Sequence, residues 1–339
     1  MIPSRRPAAA LARSCSVAVA AFALSIASAA AQPPAPQAST SQNWPIRTVR
    51  FILTLGPGSG TDIGGRLLAD RLTRKWGQPV VIETKTGGDG IVAIGAFVGA
   101  RDDHILLLSP TSSFTAHPFL HDNLPYKPED LAPIARVSNT FVGITVPVAA
   151  TANSLNELVD LIRARPGELN WAGVTGALDF NFAGWLKVAN LDMKKVPYRN
   201  PVDAGRDLAE NRVQVYESAV AIAQPQIELG KIKLLALLNT VRTPAYPHIP
   251  TVAEAGFPAL TIDGLVGLFG LPFMPVELRE RIATDIREVM ESDPIIKDRL
   301  TRTGQLFNPG GPAEFGASIE TQRATVKAAA NALGLYAKQ

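Results

Sequence analysis

From Trp44 onward the chain repeats one pattern. A short apolar run ends in a loop rich in glycine or serine, and a stretch with apolar residues on one helical face follows. Val49 to Leu55 (VRFILTL) runs into Gly56-Pro57-Gly58-Ser59-Gly60, beyond which Ile63, Leu67, Leu68, Leu72 and Trp76 recur at helical spacing as far as Gly77. Val80 to Glu83 leads to Gly87-Gly88-Asp89-Gly90 and a helical Ile91 to Ala100, and Ile105 to Ser109 leads to Pro110-Thr111-Ser112-Ser113. Continuous apolar runs of strand length suit strands buried on both faces, and strand–helix–strand units return their strands in parallel. The expectation is an α/β fold with parallel sheet, its first helix capped by Thr61 or Asp62.

The pattern returns in a second unit that begins near Phe141 to Val146. Ser154 caps a helix bearing Leu155, Leu158, Leu161 and Ile162, which stops at Pro166-Gly167. Strands are expected at Asn170 to Val174, Lys195 to Tyr198, Val213 to Tyr216 and Leu234 to Leu238, with helices at Phe180 to Ala189, Asp203 to Glu210 and Ile222 to Leu229. Leu265 to Leu271 follows, then an amphipathic helix over 275–290, a segment from Pro294 to Thr303, and a mostly helical stretch from Pro312 to the C-terminus. The chain has 339 residues, of which 46% are hydrophobic and 19% charged, enough apolar material for two packed units. No repeat of 20–50 residues is visible.

Residues 1–31 read as a secretory signal peptide. Arg5, Arg6 and Arg13 precede the apolar Ser16 to Ser28, and Ala29-Ala30-Ala31 supplies small residues for cleavage before Gln32. Residues 32–43 (QPPAPQASTSQN) read as a flexible leader. Without those three arginines Lys+Arg falls from 33 to 30, against 30 Asp+Glu, so the net charge of +3 is no nucleic-acid footprint. Cys15 is the single cysteine and lies ahead of the apolar run, where no lipid anchor is expected. A mature chain without cysteine has no disulfide, thiol nucleophile or cysteine metal site. The chain is expected to be exported.

The loops carry the chemistry that can be read. A glycine loop opening a helix offers free backbone N–H groups beside a positive helix end, an anion site. The loop at Gly56 to Asp62 has no Lys or Arg, so an anion there would rest on backbone donors, Ser59 and Thr61. Gly58, Gly60 and Gly64 with Glu83 faintly resemble a dinucleotide fingerprint, but Ile63 stands where its third glycine belongs. Walker A and G-x-S-x-G patterns are absent. His117 and His121 have helical i,i+4 spacing but are split by Pro118, which favours a surface loop over a metal pair. Asp102-Asp103-His104 favours a turn over a charge relay.

Taken together, Trp44-Pro45-Ile46-Arg47, the loop Gly56 to Asp62, Gly77 to Glu83, the glycine loop at 87–90, Val196-Pro197-Tyr198-Arg199, Gly230-Lys231-Ile232-Lys233 and Pro250 to Gly256 resemble, in this order, the Bug receptors of tripartite tricarboxylate transporters. The resemblance covers nearly all of residues 44–336. It implies a two-lobed periplasmic-binding-protein-like α/β fold with a central cleft and hinge. A small carboxylate ligand is bound there without bond making and delivered to the transporter's membrane permease subunits. Carried over by position, Gly58, Ser59, Gly60, Thr61 and Asp62 form one wall. Thr175, Gly176, Ala177, Asp179 and Asn181 form the facing wall, with Tyr198 and Asp203 near it.

Three segments depart from the family pattern. Asn181 stands at a position usually held by His, Asn211-Arg212-Val213-Gln214 replaces a Gly-x-Val-Asp segment, and Arg199-Asn200 replaces a Lys-Gly pair. The lobes are expected at 44–144 with 266–336 and at 145–265, because the family places the apolar C-terminal helices on the first. No cofactor, metal or catalytic residue is expected, and the receptor is expected to be a monomer. The alternatives are an exported enzyme with a nucleotide or metabolite cleft, and a ligand sensor that docks to a signalling protein.

Overall fold

The computed structural model describes residues 43–336, apart from Thr175, Arg199 and the side chain of Val174; the signal peptide and leader assigned to residues 1–43 lie almost wholly outside the described residues. In chain order the elements begin β1 (Val49–Leu53), α1 (Gly60–Trp76), β2 (Val80–Thr84), α2 (Ile91–Ala100), β3 (Ile105–Pro110), α3 (Ser112–Leu120) and β4 (Ala132–Thr140). There follow β5 (Val142–Pro147), α4 (Leu155–Ala164), β6 (Asn170–Val174), α5 (Ala177–Val188), β7 (Lys194–Tyr198), α6 (Pro201–Ala209), β8 (Val215–Ala219), α7 (Val220–Glu228) and β9 (Ile232–Leu237). The chain ends with β10 (Gly264–Gly270), α8 (Val276–Ser292), α9 (Pro294–Arg302), β11 (Gln305–Gly310) and α10 (Pro312–Ala332).

These strands form a six-stranded sheet, β11-β4-β10-β3-β1-β2, and a five-stranded sheet, β7-β6-β8-β5-β9. The expectation of parallel sheets is corrected, since both are mixed. β1 runs parallel to β2 and β3, and β6 to β7 and β8, as the βαβ units dictate. β10 is antiparallel to β3 and β4, and β5 to β8 and β9, because these strands arrive from the other sheet rather than through a crossover helix. The outgoing passage is a single residue, Phe141, between β4 and β5. The return passage runs through Ile262 and Asp263 into β10.

Asn239 ties the two passages together. Its Oδ1 accepts the Val142 N–H at 2.8 Å, and its Nδ2 donates to Thr140 O at 3.0 Å and to Asp263 Oδ1 at 3.1 Å. The side chain is almost wholly buried, so these bonds are made where water does not compete.

Local chemistry sets the helix ends. Ser59, rather than Thr61 or Asp62, caps α1 by accepting the Asp62 N–H at 3.2 Å, and Gly77 closes it in the left-handed conformation. Ser154 caps α4, whose Leu155, Leu158, Val159 and Ile162 face the five-stranded sheet's core. On one face of the six-stranded sheet, Leu68 and Leu72 of α1 pack with Leu278, Ile282 and Ile286 of α8; on the other, Phe97, Phe114, Phe269 and Phe315 cluster. α10 belongs to both cores: Phe315 and Ile319 pack beside the six-stranded sheet, whereas Val326 and Ala330 join the core of the five-stranded one.

The surface loop expected around His117 is a helix, α3, with Pro118 inside its last turn. His117 is fully buried; its Nδ1 meets the Tyr126 hydroxyl, and its Nε2 lies 3.4 Å from Asp89 Oδ2. Asp102, Asp103 and His104 form the turn that fastens the start of the domain. Arg47 pairs with Asp102, Trp44 Nε1 donates to Asp103 O, and His104 Nε2 accepts the Ile46 N–H while its Nδ1 meets Asp103. Both ring nitrogens are engaged, which leaves His104 no lone pair for a metal.

Candidate functional site

A cavity of about 560 Å³ lies between the two sheets. Gly58, Ser59, Gly60 and Thr61 line it from the β1–α1 loop, with Leu55, Pro110 and Ser112 beside them. Thr140, Val142, Ile262, Asp263 and Gly264 line it from the two passages, and Thr303, Gln305 and Gln322 from the C-terminal region. The five-stranded sheet and its helices contribute Leu178, Pro201, Val202, Ala219, Ala221, Ile222 and Pro225.

The β1–α1 loop is held by its own side chains. Gly58 sits at φ 83°, a conformation that a side chain disfavours, and its N–H donates to Asp62 Oδ2 at 3.0 Å. Asp62 is buried and pairs through Oδ1 with Arg66 Nε at 2.9 Å. Burial works against its charge, but Arg66 and the Gly58 N–H outweigh burial and hold the carboxyl below its ordinary value. Asp62 is therefore an internal partner of the loop. With the Gly58 and Asp62 N–H groups taken, the first helical donors, those of Gly60 and Thr61, have no partner among the described residues.

Gln305 completes this end of the cavity and was missed from sequence. Its side-chain amide presses against Gly60, where a Cβ would have to displace it. It is buried; its Oε1 accepts from Ser138 Oγ, while its Nε2 has only a 3.5 Å contact with Thr303 Oγ1. Two backbone N–H groups and an under-used amide N–H pair thus converge at the α1 N-terminus, a geometry that suits one carboxylate. Gln322 is fully engaged instead, accepting from Thr111 Oγ1 at 2.6 Å and donating to Asp263 O at 2.8 Å.

The expected facing wall is arranged differently. Thr175 lies outside the described residues. Gly176 is the N-cap residue of α5 and Ala177 is buried, but the α5 residue that lines the cavity is Leu178. Asp179 pairs with Lys195 Nζ at 2.6 Å, and its other oxygen is buried without a partner; burial raises its carboxyl despite the lysine. Asn181 donates to Leu260 O at 2.9 Å. Tyr198 donates to Asp207 Oδ2 at 2.7 Å, and burial together with that carboxylate pushes its hydroxyl up to about 12. Asp203 is exposed, 3.8 Å from Arg206. Asp62, Gly176, Ala177, Asp179, Asn181, Tyr198 and Asp203 are not among the residues that line the cavity, although Asp62, Ala177 and Asp179 adjoin residues that do.

One buried group near this wall has no counterpart in the sequence reading. Glu217 of β8 is buried, and neither carboxyl oxygen makes a hydrogen bond. Burial raises it well above its ordinary value, the Asn181 amide opposes that, and the Asp179 charge adds to it.

The cleft lies between two mixed α/β sheets, and the first residues of several helices line it. The profile of the tripartite tricarboxylate transporter family receptor matches residues 65–310, and the chain belongs to that family. BugT of Bordetella pertussis is 30% identical over 226 residues, 65% of this chain and 69% of its own. A UPF0065 protein of the same organism is 27% identical over 272 residues, 79% of this chain and 84% of its own. Among solved structures, Rpa4515 of R. palustris with adipate superposes with a TM-score of 0.73 at 24% identity, covering 86% of this chain and 99% of its own. The periplasmic binding protein BugD does so at 0.71 and 22%, covering 87% and 100%. Membership makes the chain a receptor of a transport system rather than an enzyme.

Proposed function

We propose that the cavity is the ligand site and that a ligand carboxylate sits on the Gly60 and Thr61 N–H groups with the Gln305 amide beside it. The observation that carries this reading is the pair of helix donors, without a partner among the described residues, on two residues that line the cavity between the sheets. Charge-assisted hydrogen bonds contribute about 1.5–3 kcal/mol each, so a few of them hold a small anion after the entropic cost of binding. Residues 44–140 with 264–336 carry the six-stranded sheet and form one lobe, and 142–262 form the other, a few residues from the expected bounds because β5 begins at Val142 and β10 at Gly264; the passages at Phe141 and Asp263 are the hinge. Ligand contacts made to both lobes at once favour the closed arrangement over the open one.

The monomeric receptor is exported by residues 1–31 and works in the periplasm. It hands its ligand to the permease subunits of a tripartite tricarboxylate transporter. Small-angle scattering on the purified protein, titrated in turn with hexanoate, benzoate, adipate and malate, tests the reading. At least one of these acids is expected to lower the radius of gyration saturably and to be recovered unchanged. A calorimetric heat of binding with no compaction would remove the closure step, and no binding by any of the four would remove the carboxylate site.

A further inference from the structure

We infer that Glu217 is a positioning residue of the binding site: with Asp179 it forms a proton-bearing acid pair behind one wall of the cavity, and the receptor holds its ligand more tightly when Glu217 carries the proton. The inference rests on the cavity being the ligand site, as proposed above. Side chains two residues apart on a strand share a face, so Glu217 lies on the side of β8 from which Ala219 lines the cavity. On β5 the same step separates Val142, opposite Ala219 and also in the lining, from Ile144, opposite Glu217. Glu217 is thus one residue pair deeper than the wall.

Helix α5 covers this face, where its Phe180 and Phe182 share a core with Ile144 and Val215. Leu178 lines the cavity, and the next residue, Asp179, turns an oxygen toward the sheet: its Oδ1 would lie 2.6 Å from a Cβ on Gly173. Ala172 of β6 stands opposite Tyr216 of β8, and the next residues of the two strands are Gly173 and Glu217. Lys195 Nζ holds the other Asp179 oxygen at 2.6 Å. Asp179 Oδ1 and both Glu217 oxygens are buried with no hydrogen-bond partner among the described residues. Asp179 is the charged group that bears on Glu217, and the Asn181 amide is the polar one. β5 sets Ile144 against it, and α6 and α7 pack on the sheet's other face, around Tyr216.

Three buried carboxyl oxygens beside the Lys195 ammonium are compatible with a proton on Glu217. Without it, two carboxylates share a site where burial disfavours charge. An ionised Glu217 gains hydration from the cavity, past Leu178 and Ala219, and a ligand in the cavity excludes that water. Ligand and proton therefore favour each other, and the coupling is reciprocal: a bound ligand strengthens the hold of Glu217 on its proton by the same factor.

Calorimetry on the purified protein, with hexanoate, benzoate, adipate and malate as probes, tests the coupling. An acid that binds is expected to do so at least about fivefold more weakly at pH 9 than at pH 7, the low end of ordinary coupling between sites. At pH 8, heats measured in phosphate and in Tris, buffers of unlike protonation enthalpy, should show proton uptake on binding. Glu217→Gln keeps the shape without the titrating proton, so its affinity should be equal at the two pH values and its heats should show no uptake. Asp179→Asn removes the like charge, eases ionisation of Glu217 and should bring the loss of affinity to lower pH. Wild-type affinity that is the same at pH 7 and pH 9, with no proton uptake, would overturn the inference and leave the receptor site standing. A fall of equal size in Glu217→Gln would overturn it as well. Failure of all four acids to bind would instead remove the carboxylate site itself, and the inference with it.

Discussion

The carboxylate of Asp62 accepts the amide N–H of Gly58 at 3.0 Å, so the loop that opens toward the cavity is closed upon itself by its own acid. Asp62→Asn keeps the shape and removes the charge. The variant is expected to be about 1 kcal/mol less stable at neutral pH, since Arg66 on the other oxygen is solvent-exposed and its pairing is screened. Because folding lowers the Asp62 carboxyl, its stabilisation is present above the unfolded value of about 3.9 and is lost as pH falls through the folded one. Urea denaturation at pH 7 and pH 3 should show the gap between wild type and variant closing in acid. A gap of equal size at both would mean that shape rather than charge is at work.

Gln305→Glu places a carboxylate against Gly60, where the ligand's own carboxylate is proposed to sit. The side chain keeps its length and can still accept from Ser138. Like charges at a shared site cost several kcal/mol, so affinity for the acid that the receptor binds should fall at least about a hundredfold. Calorimetry at pH 7 checks this, and Gln305→Leu serves as the neutral comparison. If Gln305→Glu binds that acid no worse than Gln305→Leu, the anion lies elsewhere.

How much of this was legible in the chain depended on where each residue finds its partner. The βαβ units could be read because Val49 to Leu55 and Ile105 to Ser109 are apolar without help from elsewhere. β4 and β11 could not. Arg136, Ser138 and Asn139 make β4 look like a loop, yet all three are buried. Arg136 is satisfied by Asn308 O at 2.8 Å and by Glu314, residues far along the chain. Gln305 lies on β11 and meets Gly60 only through the fold, so the sequence pattern that marks Gly60 does not mark Gln305. The apolar character of Leu178, Val202 and Ile222 was visible, but only the fold shows that they share one wall.

Glu217 should depress stability as pH rises. Below the ordinary glutamate value of about 4.3 the group is protonated in both folded and unfolded chains and has no effect. Above it the unfolded chain ionises while burial keeps the folded group neutral, so the unfolded state gains. Glu217→Gln removes that difference and retains the shape. Its melting temperature should exceed that of the wild type at pH 8 and converge with it near pH 4. A parallel pair of curves over this range would show that Glu217 finds a charged partner when ionised.

Asn239→Ala should loosen the tie between the passages. The change removes three hydrogen bonds and leaves the Val142 N–H and the Thr140 carbonyl without their partner. Unsatisfied buried groups of this kind cost about 1–3 kcal/mol each, and partial hydration of the vacated space reduces the sum. A loss of about 2–4 kcal/mol is expected by denaturant unfolding, with faster hydrogen exchange at Val142. Unchanged exchange at Val142 would mean that the β5 ladder holds the passage alone.

Gly184 of α5 and Ala329 of α10 approach so closely that a Cβ on the glycine would lie 2.8 Å from Ala329 Cα. The contact matters because α10 packs into both cores and α5 carries Leu178 into the cavity. Gly184→Val forces the helices apart, and overpacking of this kind costs about 1–3 kcal/mol. Ala329→Gly opens space on the opposite side, though it costs about 1 kcal/mol in helix propensity. The double variant should therefore be more stable than the sum of the single losses by at least about 0.5 kcal/mol, the lower bound for residues in direct contact. Affinity for the acid that the receptor binds should fall in Gly184→Val and recover in part in the double variant, because the displacement of α5 moves Leu178. Strict additivity in the denaturation cycle would rule out the steric cause, and unaltered binding of that acid in a destabilised Gly184→Val would show that the α5 N-terminus holds its place independently of α10.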